Sequence, residues 1–157
     1  MSYGTRLAMT YADLFPDRVR TLVLDGIVPQ QDALGVTMGR DAQRALDLLF
    51  ERCAADPACA AAFPDLSARF TNLLNELATP LEVELSDPFT GLPTTVELSR
   101  ELAAITVQTL SYAPETSALL PLLISTAAAG DLRPLAAQTL LVQEQLPRRS
   151  HLACASV

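Results

Sequence analysis

The stretch that decides the fold is residues 41–53, which read DAQRALDLLFERC. Its apolar residues Leu46, Leu49, Phe50 and Cys53 recur at i, i+3, i+4 and i+7, with charged residues mostly between them. This spacing brings the apolar side chains onto one face of a helix. The stretch therefore predicts an amphipathic helix that buries one of its sides.

The same pattern continues through most of the chain that follows. Apolar residues at helical spacing, interrupted by prolines and by Gly130-Asp131, predict four more helices. The expected ranges are 66–77, 99–112, 114–129 and 132–145. These segments indicate a mainly α fold.

One short segment departs from the helical pattern. Residues 81–85 alternate apolar side chains with Glu82 and Glu84, and Asp87 and Gly91 then supply turn residues before the segment 94–96. Alternation with a period of two is typical of a strand that is buried on one face. The segment therefore predicts a small β-hairpin within the helical region.

The first part of the chain has a different texture. A short helix over residues 5–15 is expected to stop at Pro16, and Val19–Leu24 is a β-branched apolar run typical of a buried parallel strand. The chain contains no second long strand to pair with this run, so either another copy supplies the partner or the run becomes helical. Because the helix over 5–15 also keeps an uncovered apolar face, we expect the protein to form a homodimer or a larger assembly.

Composition excludes several classes of partner. The 157 residues carry 18 Asp plus Glu against 11 Lys plus Arg, a formal net charge of −7. This balance argues against a nucleic-acid surface, since binding to a phosphate backbone needs a basic patch. Half of the residues are hydrophobic, yet no apolar run reaches the length of a membrane span, and no signal peptide is recognised.

The start of the chain has the order of a nucleophile turn. Residues 2–6 read SYGTR, with Ser2 followed by x-Gly, a helix and a strand ending in Asp25-Gly26. Together with FPDRVR at 15–20, LVLDGIVP at 22–29 and CAADPAC at 53–59, this order resembles the tripeptidyl aminopeptidase and proline iminopeptidase-like branch of the α/β-hydrolases. Members of this family are often exported, but the compartment of this chain is left open.

The resemblance implies a specific organisation. Residues 1–39 would be a remnant of the hydrolase core, containing the nucleophile elbow, a helix and one core strand. Residues 40–157 would be the helical lid (cap) domain, with residues 151–154 as the segment that returns to the core. The catalytic core sheet itself is missing from this chain.

The cysteines allow two interpretations. Cys53 and Cys59 flank a short helix end and turn that brings sulfur atoms within bonding distance, so they either form a disulfide or stand as two unlinked core residues. Their spacing is not that of a zinc-finger pair. Cys154 is left over.

By resemblance, Ser2 would be the nucleophile and the backbone N–H of Tyr3 one oxyanion donor. The sequence departs from the family because Met1 replaces the first glycine of G-x-S-x-G, and His151 does not correspond to the catalytic histidine. Since loss of one triad member already costs orders of magnitude in rate, serine-triad peptidase activity is not expected. Residual serine esterase activity through Ser2 is one alternative, and an inert lid fragment is another.

Among the active hypotheses the sequence favours a metal site, and metal-dependent hydrolysis, completed by dimerisation, is the predicted function. His151 is the only histidine, and Asp25, Asp32 and Glu144 are carboxylates that could join it around zinc or manganese, with missing ligands supplied by a partner chain. A metal-bound water at such a site would hydrolyse phosphodiesters or activated esters. The simpler alternative for each of these residues is a solvated surface side chain.

Overall fold

The computed structural model describes residues 3–31 and 35–154, with the backbone alone for 145–154. Within these ranges the protein is mainly helical, with one two-stranded antiparallel hairpin and no other sheet. The expected mainly α fold with a small hairpin and no core sheet is thereby confirmed. The chain divides into two compact units, Met1–Asp41 and Ala42–Val157.

The first unit contains one α-helix and a long irregular segment. Helix α1 spans Tyr3–Leu14, and a short 3-10 turn follows at Pro16–Arg18. The helix ends there because Pro16 has no N–H to continue the hydrogen-bond ladder. The Phe15 N–H still donates to the Tyr11 carbonyl at 2.9 Å, which closes the last turn.

The predicted core strand at Val19–Leu24 is wrong. These residues form neither strand nor helix, and Leu22 and Val23 are 41% and 91% exposed. Within the described part of the chain, the only strands are the two of the hairpin, so no neighbour pairs with this run. A β-branched sequence favours a strand only where a second strand completes its hydrogen bonds, and this condition is not met.

The second unit is built from helices joined by short turns. Asp56 accepts a hydrogen bond from the Cys59 N–H at 2.8 Å, and Ser99 accepts one from the Leu102 N–H, so a side chain caps the helix that follows each of them. The helices span Met38–Ala55 (α2), Pro57–Ala62 (α3), Leu66–Glu76 (α4), Arg100–Leu110 (α5), Pro114–Ser117 (α6), Leu120–Ala128 (α7) and Arg133–Cys154 (α8). Residues of α2 before 42 belong to the first unit.

Two of these helices differ from the prediction. The expected helix over 114–129 is divided into α6 and α7, with Ala118 and Leu119 between them. Pro121 lies in the first turn of α7, where it cannot donate a hydrogen bond to the preceding turn. Conversely, α8 continues through Pro147 instead of ending near Gln145, because a proline removes one helical hydrogen bond but its φ still fits a helix.

The structure confirms the small β-hairpin that was predicted from the alternating segment. Strand β1 spans Leu81–Ser86 and β2 spans Pro93–Leu98, with Val83 opposite Val96. Both valines are buried, whereas the glutamates of the two strands are exposed. The turn is held by Asp87, whose carboxylate accepts the N–H groups of Phe89 and Thr90 at 2.8 and 2.9 Å.

The core of the second unit lies between its helices and one face of the hairpin. Helix α8 packs on α5, α7 and the hairpin, and α4 packs on α7. Between α5 and α8 the hydroxyls of Thr106 and Thr139 lie 3.0 Å apart and are buried. The largest fully buried apolar side chains are Leu73, Leu77, Leu98, Leu120, Ile124 and Leu135. None of the described helices combines the length and the apolar character needed to cross a bilayer.

Candidate functional site

The predicted nucleophile, Ser2, directly precedes α1 in the sequence. Ser2 is outside the described residues, so its geometry is not part of the structure. Tyr3, whose N–H was expected to be an oxyanion donor, is the first residue of α1, and its side chain is exposed. The first N–H groups of a helix have no partner within that helix, and the N–H of Tyr3 belongs to this group.

Polar contacts tie the irregular segment of the first unit to α1. Thr5 is buried, and its hydroxyl accepts the Val28 N–H at 3.0 Å. The Arg6 guanidinium donates to the Gln30 carbonyl, and the Gln30 side chain donates to Asp13 at 2.9 Å. These contacts orient residues 28–30 along the helix, so they account for Thr5, Arg6 and Gln30 as structural residues.

The structure describes only part of the predicted metal set. Asp25 lies in a bend of the first unit and is exposed, and Glu144 is exposed on α8. Asp32 lies outside the described residues, and of His151 only the backbone, inside α8, is described. Across the part of the chain that can be searched, no group of three or more His, Cys, Asp and Glu side chains comes together to hold a metal.

The continuous helix α8 also fixes the spacing of two proposed ligands. Glu144 and His151 are seven positions apart on it, about 10 Å along the axis at a rise of ~1.5 Å per residue. Ligand pairs that share a metal from one helix stand at i, i+3 or i, i+4, where their side chains are adjacent. The zinc or manganese site therefore stays a prediction that needs ligands from elsewhere.

Three carboxyl groups have pKa values below their usual range, and each has a local structural cause. The Thr90 backbone N–H lowers the pKa of Asp87, and the Arg133 guanidinium lowers the pKa of Asp131, 2.8 Å from it. The pKa of Glu101 is lowered by its own backbone N–H and by the Ser99 hydroxyl at the start of α5. All three side chains stabilise turns or helix starts. A general acid would need the opposite shift.

The structure decides between the two interpretations of the cysteines. Cys53 on α2 and Cys59 on α3 form a disulfide. It joins the end of α2 to α3 across Asp56, the capping residue of α3. The bond therefore fixes the angle between two consecutive helices of the second unit.

A groove of about 520 Å³ runs beside this disulfide. One wall is a face of α2 formed by Ala45, Leu48, Leu49 and Arg52, and the two cysteines continue it. The opposite wall is formed by residues at the end of α5, at the end of α6 and at the start of α7, namely Ser111, Ser117, Ala118 and Pro121. The volume is in the range of pockets that hold small molecules.

A second cavity, of about 560 Å³, lies beyond Cys53. Phe50, Phe63 and Leu66 contribute to its lining, together with Asp65, which adopts a left-handed conformation with φ of 55°. The Asp65 carboxylate makes no capping hydrogen bond to α4. This cavity is mainly apolar, and neither cavity was anticipated from the sequence, because both depend on how helices distant in the chain are placed.

Comparison with the known protein families, with curated proteins and with solved structures finds no match for this chain. The likeness to the α/β-hydrolases thus rests on the sequence segments quoted above. The mainly helical fold described above is observed independently of this likeness.

Proposed function

We propose that this chain supplies the lid of a serine hydrolase of the α/β class, with residues 42–157 covering a catalytic centre and residues 1–41 joining the lid to the catalytic body. The observation that carries the proposal is the contrast between the two units. The second has a core of its own, whereas the first exposes the apolar side chains that a catalytic body would cover. The SYGTR sequence at residues 2–6, which resembles the start of a hydrolase nucleophile elbow, supports the assignment of this contrast to that family.

The second unit has the properties that a lid requires. Its leucines are buried between helices, a disulfide fastens α2 to α3, and side chains cap α3 and α5. Such a body buries its apolar residues between its own helices and hairpin, with no larger sheet beneath them among the described residues. The groove beside the disulfide gives it a surface on which part of a substrate could rest.

The first unit has the properties of an attachment segment. Tyr3, Leu7, Tyr11 and Leu14 follow each other at helical spacing on α1, and all four are exposed. A contiguous row of exposed apolar side chains, here the apolar stripe of α1, is typical of a protein–protein interface. In the proposed arrangement the catalytic body covers this stripe and completes the hydrogen bonds of residues 19–24.

By resemblance, the segments that would carry the acid and base of the serine triad are not part of this chain. It has one histidine, and that residue belongs to α8 of the second unit. Ser2 needs a base held by an acid, together with two oxyanion donors, before its hydroxyl becomes nucleophilic. We therefore assign binding, and no bond cleavage, to the lid.

A fluorophosphonate probe tests this assignment, because such probes react only with activated serines. The purified chain is expected to remain unlabelled, with the same background as Ser2→Ala, and to hydrolyse p-nitrophenyl acetate no faster than that variant. Stoichiometric labelling that disappears in Ser2→Ala would overturn the proposal. A tripeptidyl aminopeptidase treated in parallel is the positive control.

Metal-dependent hydrolysis of phosphodiesters or activated esters by a homodimer is the alternative proposal. It depends on zinc or manganese held by His151, Asp25, Asp32 and Glu144. Turnover of bis(p-nitrophenyl) phosphate that is lost with a chelator, restored by either metal and abolished in His151→Ala, but unchanged in Ser2→Ala, would support it. The absence of metal-stimulated turnover in a well-folded preparation would reject the metal-dependent hydrolase and leave the lid as the remaining proposal.

A further inference from the structure

The groove beside the disulfide belongs wholly to the second unit, so its shape does not depend on the proposed catalytic body. Ala45, Leu48 and Arg52 are three and four residues apart on α2 and share one face of that helix. Pro121 of α7 lies on the opposite wall. The result is an open channel with an apolar floor and one cationic residue.

The hydroxyl groups on the groove already have partners. Ser111 donates to the Gln108 carbonyl at 2.6 Å, and Ser117 donates to the Pro114 carbonyl at 3.1 Å. Both bonds are local to the turns that carry the serines. Since these hydrogens are already used, the two serines add little directional recognition to the groove.

The two charged residues on the groove, Asp56 and Arg52, differ in whether their side chains already have a hydrogen-bond partner. Asp56 accepts the Cys59 N–H at 2.8 Å as the cap of α3, where the positive end of the helix dipole stabilises its charge. Arg52, one turn earlier on α2, makes no hydrogen bond or ion pair with any residue that the structure describes. The five donors of its guanidinium are therefore available to a ligand.

We propose that this groove binds a small carboxylic acid with an unbranched apolar chain, whose carboxylate pairs with Arg52 and whose chain lies along Leu48, Leu49 and Pro121. A guanidinium fork matches the two oxygens of a carboxylate. A phosphate dianion would need more than one cation, and a second cation is absent from the groove lining. The apolar floor favours an alkyl chain, since each buried methylene adds about 0.8 kcal/mol.

Octanoate is the probe for this site, used below its micelle concentration on the full chain. Titration followed by amide chemical shifts is expected to give saturable changes at residues 45–59 and 111–121. Octylamine should give no such changes, and octanol should bind more weakly than octanoate. Saturable changes confined to residues 3–31 would overturn the proposal, because they would report adsorption to the apolar stripe of α1.

Variants separate charge recognition from apolar adsorption. Arg52→Gln is expected to raise the Kd for octanoate about tenfold, the size of one charge-assisted hydrogen bond. Arg44→Gln is the matched control, since Arg44 is exposed on the same helix, about 12 Å away at ~1.5 Å per residue, and does not line the groove. Equal affinity for both variants and the unmodified chain would overturn the role of Arg52.

A filling variant tests the location. Ala45 is an exposed helical residue on the groove, so Ala45→Phe should fold normally and occupy the space of the alkyl chain. Binding of octanoate is expected to be lost, with the far-UV circular dichroism spectrum unchanged. If Ala45→Phe binds octanoate as the unmodified chain does, the groove is not the site. If this variant does not fold, Ala118→Phe fills the groove from the opposite wall and serves the same comparison.

Discussion

Leucines on comparable amphipathic helices differ in burial between the two units of this chain. Leu73 on α4 of the second unit is 1% exposed, whereas Leu7 on α1 of the first unit is 66% exposed. Both leucines belong to amphipathic helices that the sequence predicts with equal ease. The difference teaches that amphipathic periodicity identifies a face that needs a partner, but only tertiary structure tells whether the partner is present.

The contrast extends from side chains to the backbone. The two strands of the second unit satisfy each other over six residue pairs, from Leu81 with Leu98 to Ser86 with Pro93. The run Val19–Leu24 of the first unit, which is richer in β-branched and apolar residues than an average segment, has no strand beside it in the part of the chain that the structure describes. The second unit therefore pairs the backbone of its extended segments, whereas the first leaves an extended run without a strand partner among the described residues.

Removing a core leucine should produce the largest effect on stability. Leu73→Ala is expected to lower the free energy of unfolding by about 3 kcal/mol, because it leaves a cavity in a packed site. Leu7→Ala, the same change on α1, should stay within about 0.5 kcal/mol of the unmodified chain. Urea unfolding followed by far-UV circular dichroism measures both. Equal destabilisation by the two variants would contradict the contrast between the units.

Loss of the disulfide should come next in size. The Cys53–Cys59 bond closes a loop with a sequence separation of 6, and such a short loop is worth about 2 kcal/mol in the chain-entropy account. The double variant Cys53→Ala/Cys59→Ala is expected to unfold at lower urea by that amount. Cys154→Ala leaves this disulfide intact and serves as the control. A double variant as stable as the control would mean that the helices alone hold α2 on α3.

A charged substitution in the apolar stripe of α1 should weaken the association of the chain with a second copy. If the chain forms a homodimer through this stripe, Leu7→Glu is expected to raise the dimer Kd at least tenfold, about 1.4 kcal/mol, because a carboxylate replaces a buried apolar group. Leu122→Glu is the matched control, since Leu122 is an exposed leucine of the second unit. Sedimentation velocity over a concentration series measures the Kd. An unmodified chain that is monomeric throughout would contradict the homodimer prediction.

The hairpin turn should give the smallest effect, and one that depends on pH. Because the folded turn lowers the pKa of Asp87, its carboxylate stabilises the hairpin above its unfolded pKa of about 4, and this contribution is lost as pH falls through the lower folded value. Asp87→Ala is therefore expected to speed hydrogen exchange of the Thr90 amide at neutral pH. In Asp87→Asn, which keeps an acceptor without the charge, the dependence on acidic pH should disappear. Exchange at Thr90 that is identical in all three chains would contradict this role.

Elements whose stability is local could be predicted from the sequence. The hairpin was found because charged and apolar residues alternate in it and Asp87 and Gly91 are turn residues, and Gly91 indeed adopts a positive φ of 71°. The amphipathic helices α2 and α4 were found from their spacing. In each case the sequence pattern that identifies the element lies within residues close together in the chain.

Features that depend on distant residues could not be predicted. The strand expected at Val19–Leu24 failed because strand formation requires a partner that the sequence of the strand does not specify. The proposed role of Arg52 was missed because it depends on the lack of an ion-pair partner among the described residues, which only a three-dimensional arrangement reveals. The predicted metal ligands illustrate the same limit, since Asp25 and His151 were expected to lie close together only because the resemblance implies it.

The threonine pair between α5 and α8 has a consequence for how the bundle assembles. Thr139 already donates its hydroxyl hydrogen to the Leu135 carbonyl at 3.0 Å, so Thr106 must donate to Thr139, and both hydroxyls are satisfied. Leucines tolerate a helix that slides past its neighbour by one turn, about 5.4 Å, because one apolar contact replaces another. The same slide would leave the buried Thr106 hydroxyl without Thr139 as its acceptor, whereas Thr139 would keep its bond to Leu135 on the same helix. The threonine pair therefore favours one register of α8 against α5 over others that apolar contacts alone would allow.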